Sequence, residues 1–308
     1  MLYPLLTAIY LALDIGANDA GSAMGVSYGS GAMSMKNCII IASLVGLIGA
    51  LTLGFLVVDT MGERIAYMTP NGVLAVGISS ALWLAFVLWK RLPISASQSV
   101  VGAIIGYAIA TNSEMSIGIV NLIILSWIFS PLLAMLISSM IYYFLVNFVR
   151  FESVLHKEKT QNNFMKFQIF SAVLISFANG ANNVGTSVGF LLPIINDTFM
   201  LQMLGGGVTS LGVVLLGPRI IKTVGAGITS LTPAKGFAVQ LAAGLVTLAF
   251  TFAKMPVSTT HILVGSIIGI GIAMSGDLKI KKTAEIMLSW IFTVPITAAI
   301  SALIVTLI

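Results

Sequence analysis

Apolar residues run through this chain in long blocks separated by short clusters of charged or turn-forming residues. The blocks fall at roughly 3–30, 37–58, 71–89, 93–111, 117–147, 167–193, 198–218, 235–253, 256–275 and 284–307, about ten in all. Most approach the ~20 residues that a helix needs to cross a bilayer. A helix also satisfies its own backbone N–H and C=O groups, which lipid cannot do. The pattern therefore predicts an all-α integral membrane protein, a helical bundle in the lipid bilayer.

The blocks repeat. Gly16-Ala-Asn-Asp-Ala-Gly-Ser-Ala-Met-Gly25 realigns onto Gly180-Ala-Asn-Asn-Val-Gly-Thr-Ser-Val-Gly189. Pro93-Ile-Ser-Ala-Ser-Gln98 realigns onto Pro256-Val-Ser-Thr-Thr-His261, and Ser126-Trp127 onto Ser289-Trp290. The most polar connection lies between these copies. It divides the chain into a first transmembrane repeat at 1–149, a cytoplasmic linker at 150–166 and a second transmembrane repeat at 167–308. An odd number of crossings per half, about five, inverts the second copy relative to the first.

Charge gives an independent test of that topology. With the 150–166 linker in the cytoplasm and crossings alternating outward, all but Arg64 and Lys254 of the fifteen lysines and arginines lie inside. Both termini then lie outside a cytoplasmic membrane. Glycine-rich segments that enter and leave on one side would change the number of crossings but not the inverted relation. Hydrophobic residues at 58%, charged residues at 8% and a mean hydropathy of +1.06 leave too little polar surface for a soluble domain. The net charge of +5 is accordingly read as a topology signal and not as a nucleic-acid footprint. The lone Cys38 excludes an intrachain disulfide. The first block holds Asp14 and Asp19 without a charged leader, so it is expected to remain as the first helix.

Polar residues inside such blocks are costly and point to function. Asn18, Asp19, Asn182 and Asn183 offer oxygen ligands suited to a hard cation, and a tentative Na⁺ site is assigned to Asn18, Asp19 and Asn182. The second motif pair predicts half-helices starting within the membrane, with Pro93 and Pro256 in the first turn and a hydroxyl as cap. Their free N–H groups and positive dipole ends would form an anion site. Ser95, Ser97, Gln98, Ser99, Ser258, Thr259, Thr260 and His261, with Asn183, are its candidate residues. N-capping alone is the bland alternative for these hydroxyls.

Of the two histidines, His156 falls in the charged linker, and His261 is either a satisfied polar residue or an anion donor or proton carrier. The glycine pairs Gly21/Gly25, Gly102/Gly106, Gly185/Gly189 and Gly265/Gly269 read as close helix packing sooner than as ligand contacts. Asp14 either lines the same cavity or pairs near the interface. Arg64 and Arg219, both in Gly-x-Arg-Ile settings, either guide anions at opposite entrances or snorkel to the interface, the second being favoured.

Gly16-Ala-Asn-Asp19, Gly180-Ala-Asn-Asn183 and Pro256-Val-Ser-Thr-Thr-His261 resemble the inorganic phosphate transporter family over nearly the whole chain. That family includes sodium- or proton-coupled phosphate symporters and a shorter sulfate permease branch. The resemblance implies cation sites in the Gly-x-Asn-Asp segments and anion sites in the Pro-x-Ser-Thr-Thr-His turns. Two departures stand out: Asn183 replaces the usual Asp, and Gln98 and Ala96 replace His and Thr. Phosphate carries a proton that a carboxylate can accept, whereas sulfate needs donors only. Loss of a carboxylate thus puts sulfate slightly ahead, with phosphate the alternative.

The expectation is a cation-coupled symporter importing a tetrahedral oxyanion, sulfate or phosphate, with Na⁺ or H⁺ as coupling ion and no other cofactor. A passive anion channel is the rival from another class, and a non-transporting sensor shares the same site. No nucleophile, base and orienting residue that would make an enzyme come together in the motifs. Association into a homo-oligomer is left open.

Overall fold

The computed structural model describes residues 2–90, 95–148, 158–227, 232–274 and 280–308. Pro93, Arg91, Lys279, the stretch from Arg150 through Lys157 with His156, and the side chain of Trp290 lie outside the described residues. The chain opens with α1 (Leu2–Gly29) and α2 (Met35–Leu53). A short α3 (Phe55–Asp59) passes into a π-helical turn at Thr60–Arg64, and α4 (Pro70–Lys90), α5 (Ala96–Thr111) and α6 (Ile117–Phe148) follow. The second half begins with α7 (Glu158–Val188), a 3₁₀ turn at Gly189–Leu191 and the single-turn α8 (Leu192–Ile195). It continues through α9 (Thr198–Leu215), α10 (Gly217–Gly227), α11 (Pro233–Phe252), α12 (Thr259–Ala273) and α13 (Ile280–Leu307).

Among the described residues, six helices are long and apolar enough to cross a membrane. Their outer faces carry exposed Leu44, Phe129, Leu136, Phe170 and Leu211, which in water would be an aggregation surface and in lipid is the ordinary solvent-facing side. This is a multi-pass membrane protein. Two of the expected blocks fall short of that length. α5 has 16 residues and α12 has 15, so at ~1.5 Å per residue each covers about 22–24 Å of a ~30 Å hydrocarbon core. These are half-helices.

Their starts differ from expectation in one detail. Ser258 is the cap of α12, its hydroxyl accepting from the His261 N–H at 3.3 Å. Pro256 therefore lies two residues before the cap, outside the first turn. Ser95 caps α5 in the same way, accepting from the Gln98 N–H at 3.3 Å. The block at 198–218 stops at Leu215, and the stretch after it forms α10, a helix the hydrophobic pattern does not announce.

The repeats interleave. α5, from the first half, packs on α13, and α12, from the second, packs on α6. Glycines make this approach possible. A Cβ on Gly106 would strike the Ala298 backbone, and one on Gly265 or Gly269 the backbone of Pro131 or Met135. Gly21 and Gly25 face Ile220 and Val224 of α10, and Gly185 faces Val57. The glycine pairs expected to pack do pack. At the centre, α1, α2, α7 and α9 cross closely, with Gly46 of α2 directly against Gly180 of α7. That crossing brings the two Gly-x-Asn segments together.

Candidate functional site

The half-helix starts and the two Gly-x-Asn segments meet at a cavity of about 730 Å³. One wall is made by the first turns of α5 and α12, through Ser95, Ala96, Ser97, Ser258, Thr259 and Thr260. N–H groups in a first helical turn have no intrahelical acceptor, and each helix end carries roughly half a positive charge. The Ser95 and Ser97 hydroxyls lie 3.0 Å apart at the α5 end. Two helix N-termini on one wall can form an anion-binding surface.

The opposite chemistry comes from α1. Asp14, Asn18 and Asp19 line the same cavity. Asp14 is 7% exposed and Asp19 8% exposed, while Asn18 is open to the cavity. Asn18 Nδ2 donates to the Asp14 carbonyl at 3.1 Å and to its Oδ2 at 3.3 Å. The amide group of Asn183 donates through Nδ2 to both oxygens of Asp19 at 2.7 Å, and Thr259 Oγ1 donates to Asp19 Oδ1 at 3.3 Å. Asp19 thus ties α1 to α7 and to the start of α12.

The charges do not balance. With Asp14 and Asp19 ionised, a doubly charged oxyanion would bring the cavity to four negative charges, against about one positive charge from the two helix ends and two from Arg219 and Lys222, which line the same cavity. One bound cation would close that difference. The oxygens of Asp14, Asn18 and Asp19 are suited to holding a hard cation.

Other sequence candidates go elsewhere. Ser99 is fully buried and donates to the Ser95 carbonyl at 3.1 Å. Gln98 and His261 are buried within their helices and do not line the cavity. Asn182 is also absent from the wall. Its Nδ2 donates to Thr251 Oγ1 at 2.9 Å and to the Met255 carbonyl at 3.0 Å, and its Oδ1 accepts from the Val257 N–H at 3.1 Å. Both amide hydrogens and one lone pair of the carbonyl are engaged around the chain that precedes α12, away from the residues that line the cavity.

Arg219, weighed from sequence as an anion guide or a snorkelling residue, lines this cavity, and the structure adds Lys222 and Thr223 of α10 and Leu84, Val87 and Leu88 of α4 to the lining. Arg219 and Lys222 are exposed, and neither makes an ion pair among the described residues. Their i, i+3, i+4 spacing with Thr223 is the signal that marks one helix face. Arg64 lies instead at the end of the π-helical turn, exposed and away from this cavity.

Buried carboxylates facing paired half-helix ends, inside a bundle with a lipid-exposed apolar surface, are the features of a membrane transporter. The profile of the phosphate transporter family matches residues 15–301, and the chain belongs to that family. A solved structure titled "The sodium-dependent phosphate transporter" superposes with a TM-score of 0.85 at 25% identity, covering 99% of this chain and 98% of its own. A Pyrococcus abyssi protein provisionally named a phosphate permease is 26% identical over 99% of this chain and 96% of its own length. The chloroplastic inorganic phosphate transporter 2-1 of Arabidopsis thaliana is 25% identical over 97% of this chain and 70% of its own.

Proposed function

We propose that this protein is a Na⁺-coupled symporter of inorganic phosphate, built from two inverted repeats in the cytoplasmic membrane with its central connection inside. The charge deficit of the cavity carries the reading: the anion surface and the carboxylates share one space, so neither ion is well compensated alone. In the proposed mechanism the oxyanion sits against the first turns of α5 and α12, with Ser95, Ser97, Ser258, Thr259 and Thr260 as donors. Na⁺ sits among Asp14, Asn18 and Asp19 and offsets the anion's charge. Asn183 bridges the two, its amide held by Asp19 beside Thr259. Joint occupancy removes the deficit and lets the loaded site pass to the other side. Arg219 and Lys222 raise the local anion concentration at the mouth.

Phosphate takes precedence over sulfate, reversing the order favoured from sequence, because the relatives and the structural neighbour are named for phosphate. Sulfate is the second reading, favoured by one observation: the residue beside Asp19 is an amide donor and not a proton-accepting carboxylate. Uptake of labelled phosphate by liposomes containing the protein, with an inward Na⁺ gradient and excess unlabelled sulfate, distinguishes them. Uptake that resists sulfate supports phosphate. Uptake abolished by that sulfate, with labelled sulfate accumulating in a parallel assay, restores the sulfate reading.

A further inference from the structure

Asn182 occupies the repeat position of Asn18 but not its role. Asn18 lies open on the cavity wall and among the described residues bonds only to Asp14, whereas Asn182 is fully buried and bonded to three groups around the chain that leads into α12. That lead-in, Lys254 to Val257, has left the α11 helix, and Lys254 takes φ +62°, a left-handed conformation a lysine rarely adopts. Non-helical backbone in a membrane protein needs partners for its freed polar groups. Here they come from three separate segments of the chain. Thr60 Oγ1 donates to the Lys254 carbonyl at 2.8 Å, Trp127 Nε1 donates to the Pro256 carbonyl at 2.8 Å, and Asn182 holds Met255 and Val257.

From this geometry we infer that Asn182 is a positioning residue for the anion site and not a cation ligand. It sets the lead-in and, through it, the register of Ser258, Thr259 and Thr260 on the cavity wall. Its neighbour Asn183 points the other way, to Asp19. Successive residues on a helix are ~100° apart, so α7 presents one amide to the ions and the next to the scaffold that aims the half-helix. Trp127 is a second support of the same scaffold, from the other repeat. Misalignment of the α12 first turn weakens donors to the oxyanion, while the Na⁺ ligands on α1 stay in place.

The inference rests on the proposed symport, and its test separates the two. Phosphate and Na⁺ half-saturation are measured by initial uptake into liposomes, each at saturating concentration of the other ion, for wild type, Asn182→Asp and Trp127→Phe. Asn182→Asp keeps an acceptor for the Val257 N–H but loses both donors. A positioning role predicts that it raises the phosphate half-saturation about tenfold while leaving that for Na⁺ within about twofold. A cation ligand predicts the opposite, since a carboxylate holds Na⁺ at least as well as an amide and changes its half-saturation directly. Trp127→Phe, which frees only the Pro256 carbonyl, is expected to raise the phosphate value about threefold with Na⁺ unaffected. A changed Na⁺ value, or an unchanged phosphate value in both variants, overturns the inference. Should Asn182→Asp fail to yield monodisperse protein, Trp127→Phe decides alone by the same criteria. Wild-type protein that accumulates sulfate and not phosphate defeats the phosphate reading, and the same comparison run with sulfate still decides the role of Asn182.

Discussion

Replacing Asn183 by Asp tests how charge is compensated at the centre of the site. Asn183 Nδ2 lies 2.7 Å from both oxygens of Asp19, so a carboxylate there sets two anionic groups in van der Waals contact. At an effective dielectric of about 20, two unit charges that close repel by about 6 kcal/mol. Both side chains are largely buried, Asn183 6% exposed and Asp19 8%, so little water screens that repulsion. A bridging cation or a shared proton removes it. The Asn183→Asp protein is therefore expected to need more Na⁺ per turnover, or a proton in its place. Initial phosphate uptake measured against Na⁺ at several pH values should show a steeper Na⁺ dependence, or a new dependence on pH. The added proton acceptor should also raise the phosphate-to-sulfate preference. Na⁺ dependence, pH dependence and anion preference all identical to wild type would refute the placement of Asn183 between the ions.

Three further outcomes follow from the geometry. Asp19→Asn removes the carboxylate that joins α1, α7 and α12, a loss of about 3 kcal/mol or two orders of magnitude in Na⁺-dependent uptake, with the residual flux insensitive to Na⁺. Combined Arg219→Gln and Lys222→Gln should raise the phosphate half-saturation a few-fold at low ionic strength, the difference from wild type shrinking towards nothing near 1 M salt, where the Debye length is ~3 Å. Gly180→Ala drives a Cβ into the Gly46 backbone and is expected to lower thermal stability in detergent by about 1–3 kcal/mol. Gly207→Ala meets open space in α9, so it should be neutral or stabilising by about 0.5–1 kcal/mol.

The all-helical fold and its duplication were legible because lipid allows few backbone solutions and because both copies kept their glycines and capping hydroxyls. Ser95 and Ser258 are caps for reasons local to their own turns, which sequence carries well. The division of labour between Asn182 and Asn183 was not legible. They are adjacent, chemically identical and equally aligned with the first repeat, and only the packing of α7 against α11 and α12 assigns one to the lead-in and the other to Asp19. Trp127 with Pro256 is a contact across 129 positions of chain, created by the interleaving of the repeats. α10 escaped notice because its apolar face covers α1 while Arg219 and Lys222 turn to the cavity mouth, a mixture that reads as a polar connection.

The central claim is that phosphate and Na⁺ move together through one site. The most direct measurement is net phosphate movement in proteoliposomes holding equal phosphate inside and out, with the membrane potential clamped and a tenfold inward Na⁺ gradient imposed. Such a gradient supplies about 1.4 kcal/mol per coupled Na⁺, enough for about tenfold phosphate accumulation for each Na⁺ carried. Accumulation above the external concentration, abolished when the Na⁺ gradient is collapsed, is the predicted result. Phosphate that equilibrates but never accumulates, whatever the Na⁺ gradient, would mean a passive pathway and contradict the account.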